Sequence, residues 1–448
     1  MNMGFYRMDF KFFLRGAFWL GTYLALVLAP FFVLLAGETP TGRGFWWEFS
    51  AALGYAALSM MGVQFALTAR FKHATAPFGI DIIYYFHRQV SLLAFVFIVL
   101  HLVFLFVASP RYLLGSLDPF TAPWAGRAAL AGMVSFGLVL VTSLWRKRLG
   151  IQYERWRLWH GLLAVAGVAL SIAHIEGAGY YITIPWKRIL WTAYALFWIG
   201  LLLHVRLIKP WMMLKRPYVV ETLRKERGRA WTLTLRPEGH RGLTFMSGQF
   251  AWLTIRKSPF AIEEHPFSFS SSAVHPETLS FTIKELGDFT STIKNIAVGE
   301  RVYLDGPYGS FSVDRHRAPG YVFIAGGIGI APITCMLRTL ADQSDNRPLT
   351  LVYATRTLEN ATFLEELNTL KTRLNLNVIH VLEDPLEDWQ GEKGYPTVEV
   401  LKRCLPIDRR KYHYFICGPD PMMDMVETAI YKLGVPMSQF HSERFNIV

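Results

Sequence analysis

Long apolar stretches dominate the first half of the chain, and short alternating ones the second. Before about residue 209, six segments are apolar for long enough to cross a hydrocarbon core of about 30 Å as helices. They lie near 16–36, 48–69, 80–108, 128–145, 157–175 and 187–207. The first is too long for the apolar region of a signal peptide, and further spans follow it. We therefore predict a helical membrane domain over residues 1–209.

The second half has a different pattern. From Tyr218 onward, short runs such as YVVETL, AWTLTLRP and FAWLTI are broken by glycine and proline, which predicts a small antiparallel barrel over residues 215–316. After Pro319, runs typical of strands and helices alternate, from YVFIAGG through FLEELNTLKTRL to YHYFICGP. This alternation predicts a parallel α/β layer over residues 318–448. The linker LIKPWMMLKRP is short, so we expect the second half to stay close under the membrane.

Basic residues are distributed unevenly around the predicted spans. They gather before span one, after span two, between spans four and five and after span six, whereas the opposite connections hold few. By the positive-inside rule both termini are cytoplasmic, which predicts a multi-pass protein in the lipid bilayer of the cell (inner) membrane. Much of the formal net charge of +12 is explained in this way. No basic stripe interleaved with stacking aromatics indicates binding to nucleic acid.

Four histidines lie at membrane depth in matched pairs. His87 and His101 are in the third span, His160 and His174 in the fifth, and each pair is fourteen positions apart. That spacing is about 3.9 helical turns, so both rings of a pair share one helix face, about 21 Å apart. Because the two spans run in the same direction, His87 faces His160 near the cytoplasm, and His101 faces His174 near the far side. Imidazole is a common ligand of haem iron. The pattern predicts two bis-histidine haems that carry electrons across the bilayer; alternatively, the histidines only hydrogen-bond within the bundle.

Two small-residue motifs follow strands of the predicted α/β layer. Glycines at these positions allow backbone N–H groups and a helix N-terminus to approach a pyrophosphate. The motifs are GGIGIAPI, with Gly326, Gly327, Gly329 and Pro332, and CGP, with Cys417, Gly418 and Pro419. Both end strands at the same edge of the sheet, which predicts a nucleotide-binding crevice there.

Nearly the whole chain resembles the superfamily of transmembrane ferric reductases and NADPH oxidases. It is similar to the compact, bacterial-type members. His265-Pro266-Phe267-Ser268 is similar to the flavin-binding HPF[ST] motif of that family, and Gly248-Gln249-Phe250 precedes it. The segment FTIKELGDFTSTI resembles the one that cradles the FAD pyrophosphate, and DGPYG resembles the motif that closes the barrel. The paired histidines match the family's haem ligands.

The resemblance implies a six-helix bundle with two b-type haems, a ferredoxin-reductase-type FAD barrel and a Rossmann-like NAD(P)H domain. It assigns His265 and Pro266 to FAD binding, and it places Phe267 beside the isoalloxazine and Ser268 near the polar edge or a phosphate of the flavin. It places the following residues near phosphate: Lys284, Gly287, Phe289 and Thr290. Thr355 and Arg356 end the second α/β strand, where Arg356 can pair with a 2′-phosphate and so favours NADPH over NADH.

Two residues are further candidates near the reacting rings. Cys417 is expected near the nicotinamide, although a small buried side chain is an equally good interpretation. Relatives often place a terminal aromatic over the flavin, and here the candidate is Phe445, which three residues follow.

The electron acceptor is the least determined part of the function. Leu105 stands where oxygen-reducing relatives often have a second histidine, while Asp118 and Glu176 are isolated carboxylates and poor candidates for iron ligands. The predicted acceptor is O2, giving superoxide. The alternatives are a ferric chelate and an extracytoplasmic redox protein to which this chain delivers electrons.

Overall fold

The computed structural model describes residues 10–70, 80–261 and 263–444. It divides into two compact units, one built mainly from residues up to Pro210 and the other from Trp211 onward. Each unit has its own architecture.

The first unit is a bundle of helices. Among its described residues, six helices are long and apolar enough to cross a membrane, as predicted. They are α1 (Phe10–Leu35), α2 (Phe45–Thr68), α3 (Ile80–Ala108), α5 (Trp124–Leu144), α6 (Tyr153–Ala178) and α7 (Pro185–Leu203), with a short α4 (Pro110–Leu117) after α3. A π-helical turn, His204–Ile208, joins α7 to α8 (Lys209–Leu214). Several helices begin before the predicted apolar segment, since helical hydrogen bonding continues into the Trp, Tyr and Arg residues that flank it.

Small residues bring α5 and α6 together. A Cβ atom at Gly167 would lie 2.7 Å from the ring of Phe136, and one at Gly177 would lie 2.5 Å from Trp124. The large side chain of one helix therefore fills the space left by a glycine of the other, the usual way for membrane helices to approach closely. This contact fixes α6, which carries two of the four histidines.

The second unit begins with a curled antiparallel sheet. Its strands are β1 (Tyr218–Glu226), β2 (Ala230–Pro237), β3 (Phe250–Ile255), β4 (His265–Ser268), β5 (Leu279–Lys284) and β6 (Arg301–Tyr308), in the order β4-β3-β6-β1-β2-β5. A bridge between Phe269 and Phe281 joins the two edges, so the sheet closes on itself. Both rings are fully buried in the barrel core. The predicted barrel is confirmed.

A parallel α/β layer follows the barrel. Its strands are β7 (Tyr321–Gly326), β8 (Leu349–Thr355), β9 (Leu376–Leu382), β10 (Glu392–Lys393), β11 (His413–Cys417) and β12 (Phe440–Glu443). The helices are α9 (Asp288–Ser291, in the barrel), α10 (Ile330–Asp342), α11 (Leu364–Arg373), α12 (Val398–Cys404) and α13 (Asp420–Lys432). The strand order is β10-β9-β8-β7-β11-β12. Starting from β7, the chain adds β8, β9 and β10 on one side of it and then returns to add β11 and β12 on the other side. In such sheets ligands bind at the carboxyl ends of the two strands that flank this reversal.

Arg338 ties the barrel to the α/β layer. Its guanidinium donates two bonds of 2.6 Å to the carboxylate of Glu366 and one to the backbone carbonyl of Ser270 in the barrel. Thr339, on the same helix, accepts a bond of 2.9 Å from the backbone N–H of Ala273. These bonds hold α10, and with it the glycine loop that precedes it, against the flavin-side barrel.

Candidate functional site

The structure brings His87 of α3 and His160 of α6 together inside the bundle. Their ring centres lie 6.3 Å apart, with the ring planes at 60°. Two imidazoles that share one metal ion through bonds of about 2 Å have their ring centres about 6 Å apart. The pair therefore has the separation that a common iron ligand site requires.

Both rings of this inner pair are held by side chains. Gln64 donates its amide N–H to the carbonyl of Met60 at 3.2 Å, which turns its Oε1 toward His87, and His87 Nδ1 lies 2.7 Å from that oxygen. Ser143 donates to the carbonyl of Val139, and its hydroxyl oxygen lies 3.1 Å from His160 Nδ1. The Gln64 amide oxygen and the Ser143 hydroxyl oxygen are therefore each oriented to accept a hydrogen bond from the Nδ1–H group of a histidine.

Backbone carbonyls lie against the rings of the outer pair. The Ser50 hydroxyl, which donates to the carbonyl of His101 at 2.8 Å, also lies 3.0 Å from His101 Nδ1. His101 Nδ1 lies 2.8 Å from the carbonyl oxygen of Ser50, and His174 Nδ1 lies 3.0 Å from that of Ala125. Gly54, one helical turn beyond Ser50, leaves room for the imidazole, since a Cβ atom there would lie 3.2 Å from His101 Nδ1.

The hydrogen bonds of the four histidines are those expected of haem ligands. All four histidines use Nδ1 for a hydrogen bond to an acceptor, which puts the proton on Nδ1 and the lone pair on Nε2. Metal-ligating histidines characteristically donate their second ring nitrogen in this way. Beside His160, at a ring distance of 4.9 Å, the buried indole N–H of Trp156 has no hydrogen-bond partner among the described residues, so it can donate to a polar group of a ligand. The donor set and its surroundings fit two bis-histidine haems.

The HPFS motif forms β4, at the edge of the barrel sheet beside β3. Ser268 is 5 % exposed, and its hydroxyl has no hydrogen-bond partner in the described part of the chain. The ring of His265 stacks on Phe289 at 3.6 Å, and Phe267 lies 6.3 Å from the same ring. A buried, unpartnered hydroxyl next to an aromatic cluster fits a planar ligand with a polar edge, as flavin is.

Thr290 and Lys284 lie where the barrel meets the glycine loop. The Thr290 hydroxyl accepts the backbone N–H groups of Leu286 and Gly287, each at 2.9 Å, so those amides are already engaged. A Cβ atom at Gly327 would lie 3.9 Å from Lys284 Nζ. The ammonium group of Lys284 is therefore the cation that faces the glycine loop, a position from which it can neutralise phosphate.

The glycines after β7 and β11 serve two different purposes. A Cβ atom at Gly329 would overlap the carbonyl oxygen of Cys417, and one at Gly418 would lie 2.7 Å from the Met422 methyl. These glycines, together with Gly326, allow the two strand ends to pack directly on each other. Gly327 instead has φ +52°, and a Cβ atom there would make no contact closer than the 3.9 Å to Lys284 Nζ. Of these glycines, Gly327 has the position to face a ligand.

Cys417 and Thr334 are buried side chains near this crevice. The Cys417 thiol is fully buried, and burial raises its pKa well above the usual range, so it stays protonated. Its side chain belongs to the apolar core around β7 and β11, together with Phe415. The hydroxyl of Thr334, in the helix that starts with Pro332 in its first turn, is buried without a hydrogen-bond partner within the described ranges.

At the end of β8, Arg356 has a partner that the sequence did not indicate. Its Nε donates to Asp384 at 2.7 Å, although the arginine side chain is 73 % exposed. Thr355 turns inward and donates to the carbonyl of Thr357 at 3.0 Å. Asp384 follows β9, the neighbouring strand, so its proximity depends on strand order and could not be inferred from spacing along the chain.

Asp118 and Glu176, the two isolated carboxylates, both have partners in the structure. Asp118 caps its own loop by accepting from the backbone of Phe120, and Glu176 pairs with Arg188 at 3.3 Å. Phe445 lies outside the described residues. The residue before it, Arg444, forms salt bridges with Asp424 and Glu427 on α13.

Sequence reasoning missed the acceptors of the histidine Nδ1 groups. Gln64 and Ser143 had a detectable signal, because polar side chains at membrane depth are costly and usually have a partner. The backbone carbonyls of Ser50 and Ala125 had none.

Three family models match successive parts of the chain. Residues 53–171 match the ferric reductase like transmembrane component, residues 232–312 an FAD-binding domain and residues 323–428 the oxidoreductase NAD-binding domain.

The glycine betaine monooxygenase reductase subunit of Chromohalobacter salexigens is 30 % identical over 208 residues, which are 45 % of this chain and 56 % of that protein. NADH-cytochrome b5 reductase 1 of Kluyveromyces lactis is 28 % identical over 187 residues, or 40 % of this chain and 66 % of the relative. The match thus spans only about half to two thirds of these relatives. Among solved structures, the FAD/NAD-binding domain of a nitric oxide dioxygenase from Vibrio cholerae is 24 % identical, with 51 % of this chain and 98 % of that one covered and a TM-score of 0.46.

Proposed function

We propose that this chain, which has the fusion architecture of the ferric reductases and NADPH oxidases, transfers electrons across a membrane from NADPH to an acceptor on the opposite side. The observation that carries the proposal is the arrangement of the four membrane histidines, each held through Nδ1. When bound, FAD accepts a hydride and releases single electrons, and haem iron takes up one electron at a time.

In this proposal the membrane histidines hold two b-type haems. His87 and His160 ligate the inner haem through Nε2, and His101 and His174 ligate the outer one. The hydrogen bonds from Nδ1 fix the orientation of each ring and raise its basicity as a ligand. Trp156 would be able to donate its indole N–H to a polar group of a haem bound there. The positive-inside distribution of lysine and arginine supports an orientation with both termini in the cytoplasm.

The second unit holds the flavin and the nucleotide. Ser268 would donate its hydroxyl to bound flavin, Phe267 would pack beside the ring system, and Pro266 belongs to the same binding motif. Lys284 neutralises phosphate between α9 and the glycine loop. Gly327 allows the nucleotide to approach the first turn of α10, where Pro332 lies and where backbone N–H groups favour an anion. Gly418 and Pro419 close the opposite side of the crevice.

Nucleotide selectivity is assigned to Arg356. Once it leaves Asp384, its guanidinium can make a bidentate bond to a 2′-phosphate, which favours NADPH, with NADH as the poorer donor. The ion pair with Asp384 competes with that bond. We expect the preference for NADPH to be moderated by this competition.

The proposed acceptor is O2, which would be reduced to superoxide at the outer haem by transfer that needs no dedicated substrate site. Reduction of a ferric chelate is the second candidate. Asp118 and Glu176 are both engaged in bonds of their own, which supports a small diffusing acceptor over a bound metal ion. Delivery of electrons to an extracytoplasmic redox protein is the third candidate, and a partner recovered from membranes would favour it.

The test is NADPH-driven oxygen consumption by the purified, FAD-loaded chain, with superoxide scored by a dismutase-sensitive probe. The matched control is the double variant His101→Leu, His174→Leu, which removes only the outer ligands. Fast superoxide production that the double variant loses would support the proposal. Slow oxygen uptake that is equal in both proteins would instead be leakage from flavin, and the acceptor would then be sought among ferric chelates and redox proteins.

A further inference from the structure

Three histidines cluster in the second unit, away from the crevice between β7 and β11. His316 follows a turn after the barrel, His413 is the first residue of β11, and His441 is the second residue of β12. One ring nitrogen of each lies within 4.8 Å of one ring nitrogen of each of the others. His413 Nδ1 and His441 Nε2 are hydrogen-bonded at 2.8 Å. Three distant parts of the chain therefore converge on one point.

The rings are held in position from several sides. The ring centre of His441 lies 4.9 Å from that of Phe415 and 3.7 Å from that of His316. The backbone carbonyl of His316 accepts the hydroxyl of Tyr321 at 2.6 Å, which fixes the turn that carries it. His413 and His441 are set by two paired parallel strands. All three side chains are half-buried, so water can reach them.

The chemistry of this group is that of a transition-metal site. A neutral imidazole keeps a lone pair on one ring nitrogen, so three such rings that converge on one point can ligate one metal ion. Imidazole suits Zn²⁺, Cu²⁺ or Ni²⁺, whereas Ca²⁺ and Mg²⁺ require oxygen ligands. Metal–nitrogen bonds of about 2 Å in a tetrahedral site separate the ligand nitrogens by about 3.3 Å, close to the 2.8 Å between His413 and His441.

We propose that His316, His413 and His441 bind one divalent transition-metal ion of the class represented by Zn²⁺, with water in the fourth position. The proton now shared between His413 and His441 moves to the other nitrogen of its own ring, and the small opening of that pair admits the ion. The inference is independent of the proposed electron transfer, because it uses none of the residues assigned there.

The ion would connect the turn after the barrel with the last two strands of the sheet. β12 is an edge strand of four residues, held on one side only by β11. Its Glu443 reaches the barrel, where a Cβ atom at Gly309 would lie 3.2 Å from the Glu443 carboxylate. A metal ion at His441 would fix this strand, and so would keep the C-terminal end of the chain beside the barrel.

The experiment uses the full chain in detergent, treated with a chelator, dialysed against Zn²⁺ and assayed by mass spectrometry for zinc, which the haem iron does not affect. We expect about one zinc ion per chain and a higher unfolding temperature with zinc than with chelator. His316→Ala changes a turn residue, and we expect it to weaken zinc binding by more than about 100-fold, as does His441→Ala. His275→Ala is the matched control, since it removes an exposed histidine of the same unit and should leave zinc content unchanged.

Two outcomes would overturn the proposal. One is a wild-type chain that retains no zinc after dialysis. The other is zinc retained equally by wild type and His316→Ala, which would show an adventitious ion only. If His441→Ala does not fold, the comparison of His316→Ala with wild type still decides, because His316 lies in a turn outside the sheet.

Discussion

The four membrane histidines differ in the kind of acceptor that holds them. His87 and His160 bind to side chains, and His101 and His174 bind to backbone carbonyls. A stronger acceptor at Nδ1 makes imidazole a better electron donor, and hydrogen bonding to the ligand is one of the means by which a protein sets the potential of haem iron. Single substitutions can therefore test the inner pair separately from the outer one.

At Gln64, the acceptor can be removed or made anionic. We expect Gln64→Leu to raise the midpoint potential of the inner haem and weaken haem retention by about 10-fold, because the imidazole loses its acceptor. Gln64→Glu should shift the potential in the opposite direction. Redox titration of the haem absorption bands measures both, with Thr142→Val as control, since the Thr142 hydroxyl donates to backbone carbonyls of its own helix. Equal potentials in the three variants would remove this role of Gln64.

Removing the Ser268 hydroxyl should affect the stability of the FAD-free protein and the affinity for FAD in opposite directions. Its buried hydroxyl has no partner among the described residues, so its desolvation is uncompensated until a ligand binds. We expect Ser268→Ala to make the FAD-free protein slightly more stable and to weaken FAD binding by about 5-fold, which corresponds to the loss of one hydrogen bond of about 1 kcal/mol. Thermal unfolding without FAD and flavin titration give the two readouts. A variant that is less stable without FAD would contradict the first expectation.

Arg356 and Asp384 form a pair whose members should act in opposite directions. Arg356→Ala should raise KM for NADPH about 10-fold or more, with little change for NADH, since only NADPH carries the phosphate that arginine binds. Asp384→Asn should lower KM for NADPH, because it releases the guanidinium from its ion pair. Steady-state kinetics with both nucleotides checks the two variants. If Arg356→Ala affects NADH equally, the assignment of Arg356 to the 2′-phosphate is wrong.

At the scale of elements, periodicity and turn residues predicted most of the structure. The strand LSFTIKEL and the helix FLEELNTLKTRL appear as β5 and α11 because their apolar positions match their own period. β12 was missed, since FHSE has no apolar alternation and pairs only because β11 presents a free edge. α4 was missed for a related reason: PRYLLGSL is too short and mixed to be distinguished from a loop.

The glycine loop after β7 supplies a prediction at this scale. Gly329→Ala should destabilise the α/β layer by about 1–3 kcal/mol, because its Cβ would force the ends of β7 and β11 apart. The methyl group of Gly327→Ala would make only an ordinary contact of 3.9 Å with Lys284 Nζ and costs the left-handed conformation, about 1 kcal/mol, but it should weaken NADPH binding more strongly than it lowers stability. Chemical unfolding and nucleotide titration of both variants separate the effects. Identical profiles for the two would show that both glycines serve packing alone.

For the whole molecule, the membrane orientation can be tested by labelling introduced cysteines in intact cells. Burial raises the pKa of Cys335 to about 12 and that of Cys404 to about 11, and it raises the pKa of Cys417 well above the usual value. Since the thiolate is the reactive form and is scarce this far below the pKa, the native thiols should not react at pH 7.5. Gly42→Cys should react with an impermeant maleimide, whereas Lys147→Cys should react only after the cells are opened. The reverse pattern would invert the proposed topology.

The sequence determined the large divisions of the molecule better than its sites. Hydropathy predicts six spans because lipid allows few alternatives to a long apolar helix. The pairing of His87 with His160 followed from helical spacing and span direction. The partnership of Arg356 with Asp384, and the convergence of His316, His413 and His441, both depend on which strands lie side by side. Strand order is set by packing of the whole sheet, so no local pattern contained this information.

The carbonyl acceptors of the outer histidines also bear on how such a protein can change over time. Every residue type supplies a backbone carbonyl, so point mutation at Ser50 or Ala125 cannot delete the oxygen to which His101 or His174 is bound. At Gln64 or Ser143, one nucleotide change can. If the four histidines hold haem as proposed, mutation can therefore alter the surroundings of the inner haem more readily than it can remove the carbonyl acceptors at the outer one.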